Sequence, residues 1–94
     1  MKNPRNMVGP QIRKLRYQME LTQPELAARC NRWGWDLSRE TLAKIETQVR
    51  WVSDFELVCL ANALSVRLDE LLSPKERNEK LLKDFFSRLS TPVT

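Results

Sequence analysis

The chain has no histidine, only two glycines and two cysteines, and no long apolar run. Without histidine, no histidine-dependent triad or histidine-ligated metal site can be built. Two glycines are too few for a phosphate-binding glycine loop. Asp and Glu are scattered at helix starts, where they have structural work. No catalytic residue, metal ligand or cofactor is therefore expected. No stretch approaches the roughly 18 apolar residues that cross a bilayer, and Met1 to Met7 is polar, unlike a signal peptide. A cytoplasmic protein with no membrane partner is the expectation. Cys30 and Cys59 are far apart in the chain, fit neither a metal nor a redox motif, and read as buried free thiols. No strand-like alternation is present, so the fold class is all-α.

What is present is one domain's length of chain, 94 residues with 41% hydrophobic. That suffices for a compact core but leaves little for a deep substrate cavity. The net charge is +4, unevenly spread. Residues 1–52 carry ten Lys/Arg against five Asp/Glu, residues 53–72 one against four, and the rest five against three. A basic front and an acidic back suit a protein that meets a polyanion with one face.

Gly9 and Pro10 open a first helix, where a proline N–H is not missed. Val8, Ile12, Leu15 and Met19 share one of its faces. Arg13, Lys14 and Arg16 fall off that stripe, and Tyr17 fits core or surface. Thr22 and Glu25 form a capping box for a second helix, with Leu21 and Leu26 as its hydrophobic staple. Leu26, Ala27 and Cys30 supply its buried side. The segment Asn31 to Asp36 lengthens that helix, bulges as a loop, or both. Ser38 caps a third helix, Ser38 to Thr47, whose inward residues are Leu42, Ile45 and Val49. Ser53 and Glu56 box a fourth, apolar on most sides and read as the central core helix. A short fifth, Leu68 to Leu72, is tied down by Val66, Leu68, Leu71 and Leu72. Ser73, Pro74 and Glu76 then start an amphipathic sixth segment, and Ser90 to Thr94 read as frayed. The chain thus divides into a five-helix unit, residues 1–72, and a helical tail, residues 73–94.

The stretch Val8 to Leu72 resembles the helix-turn-helix domain of the phage-repressor and Cro class, the xenobiotic-response-element-like regulators. The resemblance rests on Leu15-Arg16 in the first helix and on Leu21-Thr22-Gln23-Pro24-Glu25-Leu26-Ala27 at the start of the second. Leu37-Ser38-Arg39-Glu40-Thr41-Leu42-Ala43-Lys44-Ile45-Glu46 matches the recognition helix. Leu57 to Leu64 and Val66 to Leu72 match the last two. A lambda-repressor-like fold is implied. Arg32 to Asp36 reads as a five-residue insertion. Asn31 stands where the turn glycine is usual and can also adopt a left-handed backbone. Gln48, Val52 and Arg67 replace a common glycine, proline and serine cap.

The resemblance implies a sequence-specific double-stranded DNA-binding regulator, most simply a repressor, with helix 38–47 in the major groove. The residues placed to meet bases are Ser38, Arg39, Glu40, Thr41 and Lys44. Arg39 suits guanine, Glu40 accepts from cytosine or holds Arg39, and Thr41 meets a thymine methyl. The phosphate candidates are Gln23 first, then Arg13, Arg16, Thr47, Gln48 and Arg50. Trp51 reaches a phosphate or packs over the corner between helices 3 and 4. Trp33 and Trp35 seal the bend or form a surface for a partner protein or for the DNA backbone. Leu81, Leu82, Phe85, Phe86 and Leu89 fold back on their own domain or pair with a second copy as a homodimer. The competing function class is a protein-interaction module on the same fold, such as an antitoxin-like partner.

Overall fold

The structure, a computed structural model, describes residues 3–72 and 74–89. Among these it is all helical: α1 (Gly9–Gln18), α2 (Gln23–Asn31), α3 (Arg39–Glu46), α4 (Asp54–Ala63), a 3₁₀ turn (Leu68–Leu71) and α5 (Lys75–Leu89). The caps expected for Ser73 and Glu76, and the fraying expected for Ser90 to Thr94, lie outside the described residues and side chains.

Three helix starts follow the sequence signals. The Thr22 hydroxyl accepts from the Glu25 N–H at 3.2 Å, and the Glu25 carboxylate accepts from the Thr22 N–H at 2.8 Å. Ser53 and Glu56 repeat this at 3.1 and 3.0 Å. Ser38 caps α3 by accepting from the Thr41 N–H at 3.1 Å. At α1 the cap position is Val8, whose side chain has nothing to offer. Asn6 does that work instead, its Oδ1 accepting from the N–H groups of Gly9 (2.8 Å) and Val8 (3.2 Å).

The core is Ile12, Leu26, Cys30, Leu42, Ile45, Leu60, Leu64 and Leu71, all closed to solvent. α1 and α2 both lean on α3, and α2 also packs on α4. The α1–α3 contact depends on Gly9, because a Cβ there would run into the backbone carbonyl oxygens of Ile45 and Glu46. Burial pushes the Cys30 thiol up to about 12. Cys59 is only half-buried, and its thiol donates to the Cys30 carbonyl at 3.7 Å.

Several expectations change. The fifth helix is a 3₁₀ turn held by Leu71 alone among its leucines, with Leu68 and Leu72 about half exposed. Phe55 and Val58 put an apolar face of α4 into solvent, and Val49 and Met19 are also exposed. Val49 follows the end of α3 and Met19 stands at the C-cap of α1, where the helical stripe no longer constrains them. Asn31 stays helical. Its side-chain amide donates to the Trp35 and Leu37 carbonyls, and Gly34 takes the positive φ of 93°. The inserted residues therefore form a turn, Arg32–Gly34, and an extended approach to α3. Gln48, in place of the common glycine, keeps its left-handed backbone at φ 66°.

α5 returns to its own domain through Leu81 and Phe85, both half-buried. The Phe85 ring meets Trp51 edge-on at 6.3 Å. Its other stripe, Leu82, Phe86 and Leu89, remains exposed.

Glu56 links the α4 cap to Arg50 in a two-point ion pair at 2.9 Å each. Hydrogen bonds from Arg50, then from the Ser53 backbone, hold its carboxyl below the ordinary glutamate range against the opposing effect of burial. A carboxylate with a lowered folded pKa stabilises the fold above its unfolded value, about 4.3, and that stability fades as pH falls through the folded value. Glu56→Gln is expected to cost about 1 kcal/mol at neutral pH and to flatten part of the acid loss. Urea unfolding across pH 2 to 7, in about unit steps, checks both.

Candidate nucleic-acid interface

α3 turns Leu42, Ile45 and Glu46 inward and presents Arg39, Glu40 and Lys44 to solvent, with Thr41 half-exposed. Ser38 and Thr41 are tied together, since the Ser38 hydroxyl also donates to the Thr41 hydroxyl at 3.0 Å. The Thr41 methyl and the Arg39 and Lys44 heads stand outside that knot. Arg39 and Lys44 form no ion pair among the described residues.

Under this surface lies a buried charge pair. Arg16 Nε donates to Glu46 Oε2 at 2.7 Å and Nη2 to Oε1 at 3.0 Å, both side chains being almost fully covered. The remaining guanidinium nitrogen donates to the Leu21 carbonyl at 2.8 Å. Glu46, mainly through these hydrogen bonds, raises the Arg16 pKa still further. Arg16 is therefore not a surface cation, contrary to its place among the phosphate candidates. Its donors are spent inside, joining α1, the α2 approach and α3. The sequence did carry a signal for this. The reading that set Arg16 off the apolar stripe is corrected here: it stands four residues after buried Ile12, and Glu46 four after buried Leu42, so each lies one turn from a core residue.

Gln23 joins this pair, its Nε2 donating to Glu46 Oε1 at 3.1 Å. It is thereby held in place at the first turn of α2. A shallow basin of about 420 Å³ opens above, lined by Arg13, Tyr17, Gln23, Arg39 and Thr47. Arg16 and Glu46 form part of its floor, so five of the expected contact residues, the buried Arg16 among them, meet at one surface. Tyr17, left open between core and surface, is exposed but lies over the Arg16 guanidinium, 4.7 Å from its ring centre. Its hydroxyl accepts from Arg13 at 3.1 and 3.3 Å, and that bond draws its pKa down.

Arg50 and Gln48 of the phosphate set are tied elsewhere. Arg50 is clamped by Glu56 and donates to the Trp51 carbonyl, with its guanidinium 5.9 Å from the Trp35 ring. Gln48 donates to the Asn6 carbonyl at 3.0 Å. Thr47 is exposed, its hydroxyl donating to the Ala43 carbonyl at 2.9 Å. Asn6, which sequence reasoning passed over, stitches the N-terminal segment to the end of α3. Its amide donates to the Ile45 and Arg50 carbonyls at 3.0 and 2.9 Å. The signal was an Asn just upstream of Gly9-Pro10, a residue type whose side chain readily bonds backbone N–H groups two or three residues on.

The two tryptophans of the bend part company. Trp35 packs half-buried against the core, whereas Trp33 is 63% exposed beside Phe55 and Val58. Trp51 is also largely exposed, facing Phe85. Among the described residues no cluster of acidic or thiol side chains could hold a metal ion, and no helix is long and apolar enough to cross a membrane.

Comparison with known proteins comes down to two findings. The profile of the helix-turn-helix family HTH_3 matches residues 12–71. A crystal structure described as a hypothetical transcription factor, NHTF, from Neisseria superposes with a TM-score of 0.65 at 25% identity, covering 84% of this chain and 85% of that one. No curated protein matches the chain.

Proposed function

The chain belongs to the helix-turn-helix family HTH_3, and on that footing we propose that it is a DNA-binding transcriptional regulator, most simply a cytoplasmic repressor, which inserts α3 into the major groove of double-stranded DNA. Residues 1–72 form the DNA-binding unit and residues 73–94 the tail that pairs two copies. The observation that carries this reading is the basin over the Arg16–Glu46 pair, where Gln23, Arg13 and Thr47 flank Arg39 on one face. Arg39, Glu40, Thr41 and Lys44 face base edges, with Ser38 setting the helix start. Gln23 and Arg13 hold the phosphate backbone, which sets register and supplies affinity without reading sequence. Arg16 makes no contact with DNA and acts through Glu46, which it fixes and which in turn holds Gln23.

Fluorescence anisotropy on unrelated duplexes tests the assignment of Gln23. Gln23→Ala is expected to weaken all of them alike, by about three- to tenfold, the worth of one hydrogen bond. No loss, or a loss confined to one sequence, counts against it.

The exposed stripe Leu82, Phe86 and Leu89, costly to leave in water, supports a homodimer. A twofold pair would set two recognition helices about 34–36 Å apart, one turn of DNA. Leu82→Glu with Leu89→Glu is expected to convert a dimer to a monomer in analytical ultracentrifugation; an unchanged dimer places the interface elsewhere. The second reading, a protein-interaction module, draws on the exposed group Trp33, Phe55 and Val58, and coexists with DNA binding.

A further inference from the structure

Between α5 and the N-terminal segment runs an apolar cleft of about 220 Å³, walled by Met7, Trp51, Leu81, Phe85 and Phe86. A second cleft of about 190 Å³ adjoins it, sharing Arg5, Trp51 and Phe85 and bordered at its far side by Arg88. Among the described residues, no acidic side chain lines either cleft. Arg5 and Arg88 form no ion pair among the described residues, unlike Arg16, Arg50 and Arg67, which are matched to carboxylates. The described lining is thus largely apolar, with Arg5 and Arg88 as its charged side chains. An apolar cavity of about 150 Å³ takes up benzene. This cleft has room for one ring and a short chain.

We propose that this cleft binds a small amphipathic carboxylic acid, an aryl-alkanoate or short aliphatic acid. Its apolar part lies between Trp51, Leu81 and Phe85, and its carboxylate meets Arg5 and Arg88. Guanidinium is the group suited to a carboxylate, through paired, charge-assisted hydrogen bonds. A neutral apolar ligand would leave both cations unanswered, and a cation would be repelled.

The site has a direct mechanical tie to α3. The Arg5 N–H donates to the Gln48 carbonyl at 2.9 Å, and Asn6 beside it holds the Ile45 and Arg50 carbonyls. An occupant that shifts the N-terminal segment or α5 pulls on the end of the recognition helix. That consequence rests on the DNA-binding reading; the binding itself does not.

The test uses the full chain without DNA. Hydrocinnamate and its neutral counterpart, hydrocinnamyl alcohol, are titrated while NMR follows the indole N–H signals of the three tryptophans. Hydrocinnamate is expected to move the Trp51 signal and to bind about tenfold more tightly than the alcohol. Arg5→Gln with Arg88→Gln should erase that preference and leave the alcohol's affinity as it was. Leu81→Trp, which fills the cleft, should abolish binding of both. Equal affinity for acid and alcohol, a preference that survives the double arginine substitution, shifts at Trp33 or Trp35 alone, or no binding of either probe would each overturn the proposal. The last result, in a protein that sediments as a dimer, would assign the cleft to a second copy of the chain.

Discussion

Replacing Glu46 by alanine is expected to destabilise the protein by about 3–5 kcal/mol, the usual cost of removing one partner from a buried ion pair. The reason is what remains. The Arg16 guanidinium keeps its charge, stays covered, and loses two of its three hydrogen-bond acceptors. Gln23 loses its anchor in the same step. With a typical domain stability of about 5–15 kcal/mol, such a loss leaves little margin. The complementary double substitution, Arg16→Met with Glu46→Leu, should recover most of the loss, because it removes both charges and fills the space with apolar groups. It should not restore the position of Gln23. Urea unfolding of the two variants separates these effects: the single substitution should lower the midpoint steeply, the double only slightly. A loss below about 1 kcal/mol for Glu46→Ala would mean that water or another donor reaches Arg16 readily.

The second large effect concerns sequence discrimination. Arg39→Ala is expected to leave folding within about 0.5 kcal/mol, since the side chain is exposed and unpaired among the described residues. It should nevertheless remove about 1–3 kcal/mol of preference for the best site over a site changed at the contacted base pair. That corresponds to a ratio of about five- to a hundred-and-fiftyfold. Affinity for unrelated DNA should fall far less, by the loss of one charge near the backbone. Gln23→Ala should show the opposite pattern, a uniform loss with discrimination intact. The contrast between the two variants separates base reading from backbone anchoring. Equal discrimination in wild type and Arg39→Ala would move base reading to Lys44 or Glu40.

Much of the fold was legible because it is written in local rules. Thr22 with Glu25 and Ser53 with Glu56 gave helix starts that the structure reproduces bond for bond. Ile12, Leu26, Leu42, Ile45 and Leu60 gave the core by their spacing. What escaped were long-range pairings, in which neither partner looks unusual alone. Arg16 and Glu46 lie 30 residues apart, and a charge on an apolar stripe reads as surface until its partner is found. Asn6 escaped because its cap lies outside the helix, three residues before it. The Arg32 to Asp36 segment was open between helix and loop, and Gly34 decided for the turn, being able to take a positive φ that Asn31 did not need. α5 was ambiguous between folding back and pairing because its apolar residues exceed one stripe. Leu81 and Phe85 serve the first, while Leu82, Phe86 and Leu89 stay largely exposed. At the candidate site, Arg39 and Gln23 were readable from their place in the second and third helices. That Gln23 is positioned by Glu46 was not.

Selection from a random double-stranded library, with purified protein at near-physiological salt, decides whether α3 reads base edges in duplex DNA, as proposed. The expected result is an enriched pair of inverted half-sites, centres about 34–36 Å apart or a multiple of that, whose strongest position is lost in Arg39→Ala. No enrichment by a protein that NMR shows to be folded would contradict it.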